Sequence, residues 1–167
     1  MSGAPTTAST TASTAASAQS QAQADELSGS GATLIDAAEA SALPTSFGVF
    51  KPVGHMMVGL PTQAQLATLV GSLQDAGWDA GSLRQFSPVA CVEELQAMVA
   101  NAGVLAGFGY EITALRRYLS LTEEGYRWLL VQADDTDSAT AAAQLAQDCG
   151  ATLAVYYRRL TVEDLIH

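Results

Sequence analysis

Two pairs of adjacent arginines are the side chains of this sequence best suited to bind an anion. One pair, Arg116–Arg117, falls in a predicted helix, and the other, Arg158–Arg159, falls in a predicted strand. Neighbouring residues of a strand point to opposite faces of the sheet, so one arginine of the second pair can meet a carboxylate. We interpret the pairs as structural ion pairs. The alternative is an anion or ligand site between insert and sheet, lined by Arg116, Arg158, Tyr157 and Glu111.

Acidic residues cluster at two further places. Asp134, Asp135 and Asp137 resemble the opening of a calcium loop, but the glycine and the distal glutamate of such a loop are missing. We interpret them as helix-capping residues, with Asp135 or Asp137 as the N-cap. The run 122–124 is interpreted as the solvated end of a helix. The glycines of 101–109 are expected to turn the chain between two helices, with an anion at the amides of 108–111 as the alternative.

Histidine and cysteine do not form a recognisable site. His55 lies in an apolar strand and is expected to pack or hydrogen-bond there, and a metal site needs several ligands. Cys91 and Cys149 fall on predicted apolar helix faces, without a CxxC motif, and are expected to be buried free thiols. The sequence therefore nominates no catalytic residue, no metal site and no cofactor.

Charge and composition narrow the class of protein. The chain has 167 residues, a formal charge of -10 and 49% hydrophobic residues, which suffice for one domain with a core. The negative charge disfavours nucleic-acid binding and docking on an anionic membrane. The sequence has no 20-residue apolar stretch and no ordinary signal peptide, so we expect a cytoplasmic protein.

The chain divides into three parts. Residues 1–31 are rich in Ser, Thr and Ala and are expected to be a disordered tail. Residues 32–46 are expected to form a short helix and a linker, because apolar residues between 32 and 43 share one helical side. The folded domain covers 47–167.

Within this domain, two strand–helix–strand units flank a helical insert. The first unit runs from the strand 53–60 through a helix ending at Gly77 to a strand at 81–87. The insert, 88–125, holds two helices and ends at Gly125. The second unit runs from 126 to 160, and its helix ends at Gly150. Residues 161–167 are expected to be a short tail.

The order β-α-β-(α-α insert)-β-α-β predicts an α+β protein with a ferredoxin-like fold. Its sheet would have four antiparallel strands, with the two crossover helices on one face. The alternative is an open α/β sheet with parallel strands. Apolar residues occupy both sides of the strands, so both faces of the sheet require cover.

The chain resembles the bacterial general-stress-protein 17M-like domain, related to heat-induced stress proteins. The stretch VGHMMVGLPTQAQLATLVGSLQDAGW, the insert Pro88–Gly125 and the stretch LLVQADDTDSATAAAQLAQDCGA carry the resemblance, which covers residues 53–159. The resemblance implies a cytoplasmic, stress-associated protein without an established reaction, and it supplies no catalytic residue.

Two functions from different classes remain open. The first is a non-enzymatic, stress-associated interaction module that acts as a homodimer or larger homo-oligomer, since a small sheet with two apolar faces needs a partner if one stays uncovered. The alternative is a small-molecule or anion sensor that binds between the helical insert and the sheet. A protein partner is possible in either case.

Overall fold

The computed structural model describes residues 31–35, 45–46, 49–50, 52–102, 109–158 and 162–166. The strands are β1 (Thr33–Ile35), β2 (Thr45–Ser46), β3 (Val49–Phe50), β4 (His55–Leu60), β5 (Leu83–Phe86), β6 (Arg127–Gln132), β7 (Leu153–Tyr157) and β8 (Val162–Ile166). The helices are α1 (Gln63–Asp75), α2 (Pro88–Ala102), α3 (Gly109–Glu123) and α4 (Thr136–Asp148), and a 3₁₀ turn covers Ala80–Ser82.

Six of these strands form one mixed sheet in the order β1-β5-β6-β4-β7-β8. The four central strands pair antiparallel, β1 joins β5 in parallel, and β8 joins β7 antiparallel. β2 and β3 form a separate two-stranded antiparallel pair. The predicted α+β class is confirmed, while the predicted sheet of four strands is two strands short.

Both additional strands occur where other structure was expected. Residues Thr33–Ile35 form β1 rather than the start of a helix, and the rest of that predicted helix lies outside the described residues. Residues Val162–Ile166 form β8 rather than a tail. Short strands depend on pairing with a neighbour, and the backbone groups of β5 and β7 supply that pairing. The predicted tail 1–31 also lies outside the described residues, apart from Gly31.

Local sequence explains where the helices begin and end. The Thr62 hydroxyl accepts from the Gln65 amide at the start of α1, and the Asp135 carboxylate accepts from the Ser138 amide at the start of α4. The three predicted C-terminal glycines, Gly77, Gly125 and Gly150, have φ of 104°, 100° and 84°. Each follows a helix and is in the left-handed conformation that glycine adopts readily.

Each face of the sheet carries its own hydrophobic core. The crossover helices α1 and α4 cover one face, and we call the cluster on that face the crossover core; it includes Val58, Leu69 and Ala142. The insert helices α2 and α3 cover the other face, and we call that cluster the insert core; it includes Met57, Tyr118 and Trp128. The expectation of two covered faces is confirmed, and the helical insert supplies the second layer.

Little apolar surface remains outside these cores. Among the described residues, Val53 is the one large hydrophobic side chain that is exposed, at 45%. No helix in the described part of the chain has the length and apolar character needed to cross a membrane.

Candidate functional site

A cavity lies inside the insert core, between the insert helices and the sheet. It measures about 30 Å³ and is partly open to solvent. Its wall consists of apolar surface from α2, α3 and three strands. The side chains that line it are Met57, Phe86, Cys91, Leu95, Met98 and Trp128, together with Glu94 and Tyr118.

The position of the Trp128 ring depends on a glycine of the neighbouring strand. Trp128 in β6 pairs with Gly59 in β4, and both face the insert core. A Cβ atom at position 59 would lie 2.8 Å from the Trp128 ring, which is closer than packed atoms come. Gly59 therefore leaves the space in which the indole lies flat beside the cavity.

Thr122, in the last turn of α3, contacts the polar groups around this ring through its hydroxyl. The Trp128 indole N–H donates to the Thr122 hydroxyl oxygen at 2.7 Å, and that hydroxyl donates to the Tyr118 carbonyl at 2.7 Å. The Cys91 sulfur lies 3.8 Å from the same hydroxyl oxygen. Since the hydroxyl hydrogen points to Tyr118, the thiol is the donor in this third contact.

The same environment keeps the Cys91 thiol protonated. Burial raises the pKa of Cys91 to about 12, and the hydrogen bond with Thr122 acts in the opposite direction with a smaller effect. A thiol is nucleophilic only as the thiolate. At neutral pH, Cys91 is therefore not a nucleophile, and it forms part of the apolar wall of the cavity.

Aromatic rings extend from the cavity toward β7. The rings of Tyr118 and Trp128 lie 5.2 Å apart, inclined at 58°, and those of Tyr126 and Trp128 lie 6.5 Å apart. The hydroxyl groups of Tyr118 and Tyr157 are 3.5 Å apart in the buried interior. This cluster joins the insert helices to the central strands next to the cavity.

Three of the four predicted ligand-binding side chains, those of Arg116, Tyr157 and Arg158, belong to the described part of the chain. Tyr157 is buried in the insert core, next to the cavity but not among the residues that line it. Arg116 is exposed on α3, and the side chain of Glu111 lies outside the described residues. Arg158 is exposed and forms an ion pair with Glu163 of β8 at 3.3 Å, so this arginine pairs with the sheet edge rather than with the insert. None of these three described side chains lines the cavity, and the anion site that they were predicted to form stays a prediction.

The remaining candidates have structural roles. The His55 ring donates to the Val53 carbonyl at 3.1 Å, as expected for a hydrogen-bonded histidine. Asp135 is the N-cap of α4, and the hydrogen bond from Ser138 lowers its pKa. Both cysteines are free thiols, and they pack on opposite faces of the sheet: Cys91 is buried, whereas Cys149 is only partly buried.

Thr122 is the functional-site residue that sequence reasoning placed wrongly. It was expected at a solvated helix end, but it is buried, with 6% of its surface exposed. The available signal was its spacing, because Thr122 lies seven residues after Leu115 and four after Tyr118, on the apolar side of α3. The lining residues Glu94 and Met98 were also not nominated.

Comparisons with models of protein families, with curated proteins and with solved structures found no match to this chain. Within the described ranges, no group of three or more His, Cys, Asp and Glu side chains could hold a metal ion.

Proposed function

We propose that this protein is a non-enzymatic, stress-associated binding module whose cavity between insert and sheet takes up a small apolar molecule. The observation that carries the proposal is the apolar cavity itself, which opens to solvent at the place where the sensor hypothesis expects a ligand. The ligand is neutral or apolar rather than anionic, because Arg116 and Arg158 lie outside the residues that line the cavity.

Water is a poor occupant of this space. A cavity of about 30 Å³ has room for one or two water molecules, but a buried water needs two to four polar partners. The hydroxyl groups beside the cavity already have partners: that of Thr122 contacts Tyr118, Trp128 and Cys91, and that of Tyr118 lies 3.5 Å from the Tyr157 hydroxyl. An apolar group gains from entering such a space because it loses no hydrogen bonds there.

Two methionines give the wall the adaptability that a larger ligand requires. Met57 lies on β4 and Met98 on α2, on opposite sides of the cavity. Methionine side chains change rotamer easily and adapt to irregular shapes. We infer that ligand entry moves these side chains and displaces the insert helices from the sheet, which makes the insert the part of the molecule that reports binding.

The fold and the stress link belong to the same proposal. The central order β5-β6-β4-β7, all antiparallel with α1 and α4 on one face, supports a ferredoxin-like core to which β1 and β8 are added. The resemblance to general-stress-protein 17M-like domains supports the stress association and a cytoplasmic location. Ferredoxin-like folds serve many functions, so the cavity and not the fold carries the binding proposal.

Titration of the full-length protein with 1-octanol tests the proposal. Its apolar chain matches the chemistry of the cavity wall, and because octanol is larger than the cavity of about 30 Å³, its binding requires the movement of Met57 and Met98 inferred above. Amide resonances of α2, β4 and β6 should shift and saturate, and a concentration ten times the dissociation constant should add about 1.4 kcal/mol to the free energy of unfolding. Shifts that do not saturate, or that occur elsewhere, contradict the proposal.

A matched pair of variants locates the site. Met98→Trp fills the mouth of the cavity and should abolish binding, whereas Ala97→Trp adds the same ring to an exposed position of the same helix and should leave binding unchanged. Met98→Phe serves if the larger ring prevents folding. Equal binding by both tryptophan variants would exclude the cavity.

A homo-oligomer is the second candidate, and the edge strand β8 is the observation that favours it. No described strand pairs with the outer side of β8, so a second copy could extend the sheet there. A dimer was expected because one apolar face of the sheet would otherwise be exposed. The insert covers that face, so the proposed contact between copies is at the edge of the sheet instead. Native mass spectrometry of the titration samples distinguishes a monomer that carries ligand from a bare oligomer.

A further inference from the structure

A second cleft lies at the edge of the crossover core, where the end of α1 and the start of α4 flank the last residues of β6. It measures about 300 Å³, ten times the size of the insert cavity. Polar and aromatic side chains line it. They are Trp78, Asp79, Ser82, Gln132, Asp134 and Ser138.

The charges around this cleft are negative. Asp79 and Asp134 contribute two carboxylates, and no Lys, Arg or His belongs to the described residues that line it. The Asp79 carboxylate makes no capping hydrogen bond to the 3₁₀ turn that it precedes. The cleft therefore carries two negative charges without a lining residue of opposite sign.

The end of α1 adds to this negative potential. Ala76 and Gly77, which follow the last turn of α1, form part of the wall. The C-terminus of a helix carries a partial negative charge, which proteins often balance with a basic residue in the last turn. The last turn of α1 contains no basic residue. A bound cation would supply the charge that this helix end lacks.

The start of α4 does not offer the opposite option, an anion site. The Asp135 carboxylate accepts from the Ser138 amide at 2.8 Å, and the Ser138 hydroxyl contacts the same carboxylate. Asp137 adds a further negative charge in the first turn. The protein's own carboxylates thus occupy the place where an anion would approach the helix N-terminus.

Hydrogen bonds hold two of the lining groups in position. The Trp78 indole N–H donates to the Gln132 carbonyl at 3.1 Å, which fixes the ring at the wall of the cleft. The Gln132 side-chain amide donates to one oxygen of the Asp134 carboxylate at 3.3 Å. A carboxylate accepts several hydrogen bonds, so Asp134 keeps capacity for a donor in the cleft.

We propose that this cleft binds a small organic cation, a primary alkylammonium, with its charged end at Asp79 and Asp134 and its alkyl part against Trp78. An aromatic ring attracts cations and also covers an alkyl chain, which a metal ion does not need. The described residues provide no set of three metal ligands. This site shares no lining residue with the insert cavity, so a test of one proposal does not depend on the outcome of the other.

Titration of the full-length protein with n-butylamine at low salt tests the site, and 1-butanol is the uncharged probe of similar size. Amides of residues 76–82 and 132–138 should shift and saturate with butylammonium but not with 1-butanol. Exposed ion pairs contribute at most about 1 kcal/mol, so Asp79→Asn and Asp134→Asn should each weaken binding by about two- to fivefold. Physiological salt should weaken it as well.

Asp148→Asn is the matched control, because it removes one exposed carboxylate from the other end of α4. This variant should bind butylammonium with unchanged affinity. Equal weakening by all three variants would mean that only the net charge attracts the amine, and this outcome overturns the proposal. Absence of saturation, or unchanged affinity in the Asp79→Asn and Asp134→Asn double variant, overturns it too.

Discussion

The two faces of one sheet carry cores of different character. The crossover core is mostly aliphatic and inaccessible to solvent: Val58, Leu69, Leu129 and most other described members are fully buried. Among the described members of the insert core, Leu130 alone is fully buried, while Phe86, Cys91 and the others keep a few per cent of their surface exposed. The same strands contribute to both cores, so the difference arises from the helices that cover each face.

Small residues explain the tight packing of the first face. Ala139, Ala142 and Ala146 of α4 let this helix approach the sheet closely, and leucines of α1 fill the space beside it. The insert core instead combines large rings with a threonine, a thiol and flexible methionines. Rings and polar groups pack less completely, and the remaining space is the cavity. From this comparison we expect the crossover face to contribute more to the stability of the fold than the insert face.

Matched leucine truncations should give the largest effect and test this difference directly. Leu69→Ala on α1 removes a fully buried side chain from the crossover core, and we expect a loss of about 4 kcal/mol. Leu95→Ala on α2 removes a side chain that is 8% exposed and already borders a cavity, so we expect about 2 kcal/mol. Urea unfolding measures both values. Equal losses would mean that the two cores are packed equally well.

Removal of the Thr122 hydroxyl should have the next largest effect. Thr122→Val keeps the shape of the side chain but leaves the Trp128 indole N–H without its acceptor, which costs about 1–3 kcal/mol for a buried donor. Thr68→Val is the control, since its hydroxyl makes the same type of bond to the carbonyl four residues earlier but is exposed. We expect a change within about 0.5 kcal/mol for the control. A small effect of both variants would show that water replaces the lost partner and that the insert layer is already open.

Much of the crossover face could be predicted from the sequence. The helices α1 and α4 have regular apolar stripes, capping residues and terminal glycines, and each of these signals is local. The edge strands β1 and β8 could not be predicted in the same way, because three and five residues become strands only when a neighbour pairs with them. The partner of β1 is distant in sequence, so no local pattern records that pairing. β8 pairs with β7, the strand directly before it, and the interpretation of 161–167 as a tail missed this antiparallel pair.

The residues that line the cavity could not be predicted from the sequence. The sequence placed a pocket between insert and sheet, but the nominated arginines are exposed and the lining residues are apolar. Helical spacing assigns a residue to one side of a helix, yet it does not specify which side chain of that side meets which strand. Trp128 of β6 and Thr122 of α3 lie on either side of the turn at Gly125, and their hydrogen bond forms because this turn folds the strand back against the helix. The spacing of apolar residues within one element does not reveal such a contact.

The smallest predicted effect concerns pH and the start of α4, which belongs to the crossover face. The hydrogen bonds from Ser138 lower the pKa of the Asp135 carboxyl from its ordinary value of 3.8. A lowered pKa in the folded state means that the ionised group adds stability above the ordinary value, and that this contribution disappears as the pH falls through the folded value. Asn also caps helices but does not titrate, so Asp135→Asn should reduce the acid-dependent loss of stability while leaving the fold unchanged.

Urea unfolding between neutral pH and pH 2 measures this difference, and Asp148→Asn, which removes an exposed acid outside any cap, is the control. If both variants flatten the pH profile equally, general charge repulsion governs the acid response and the capping box of α4 contributes nothing specific to the crossover face.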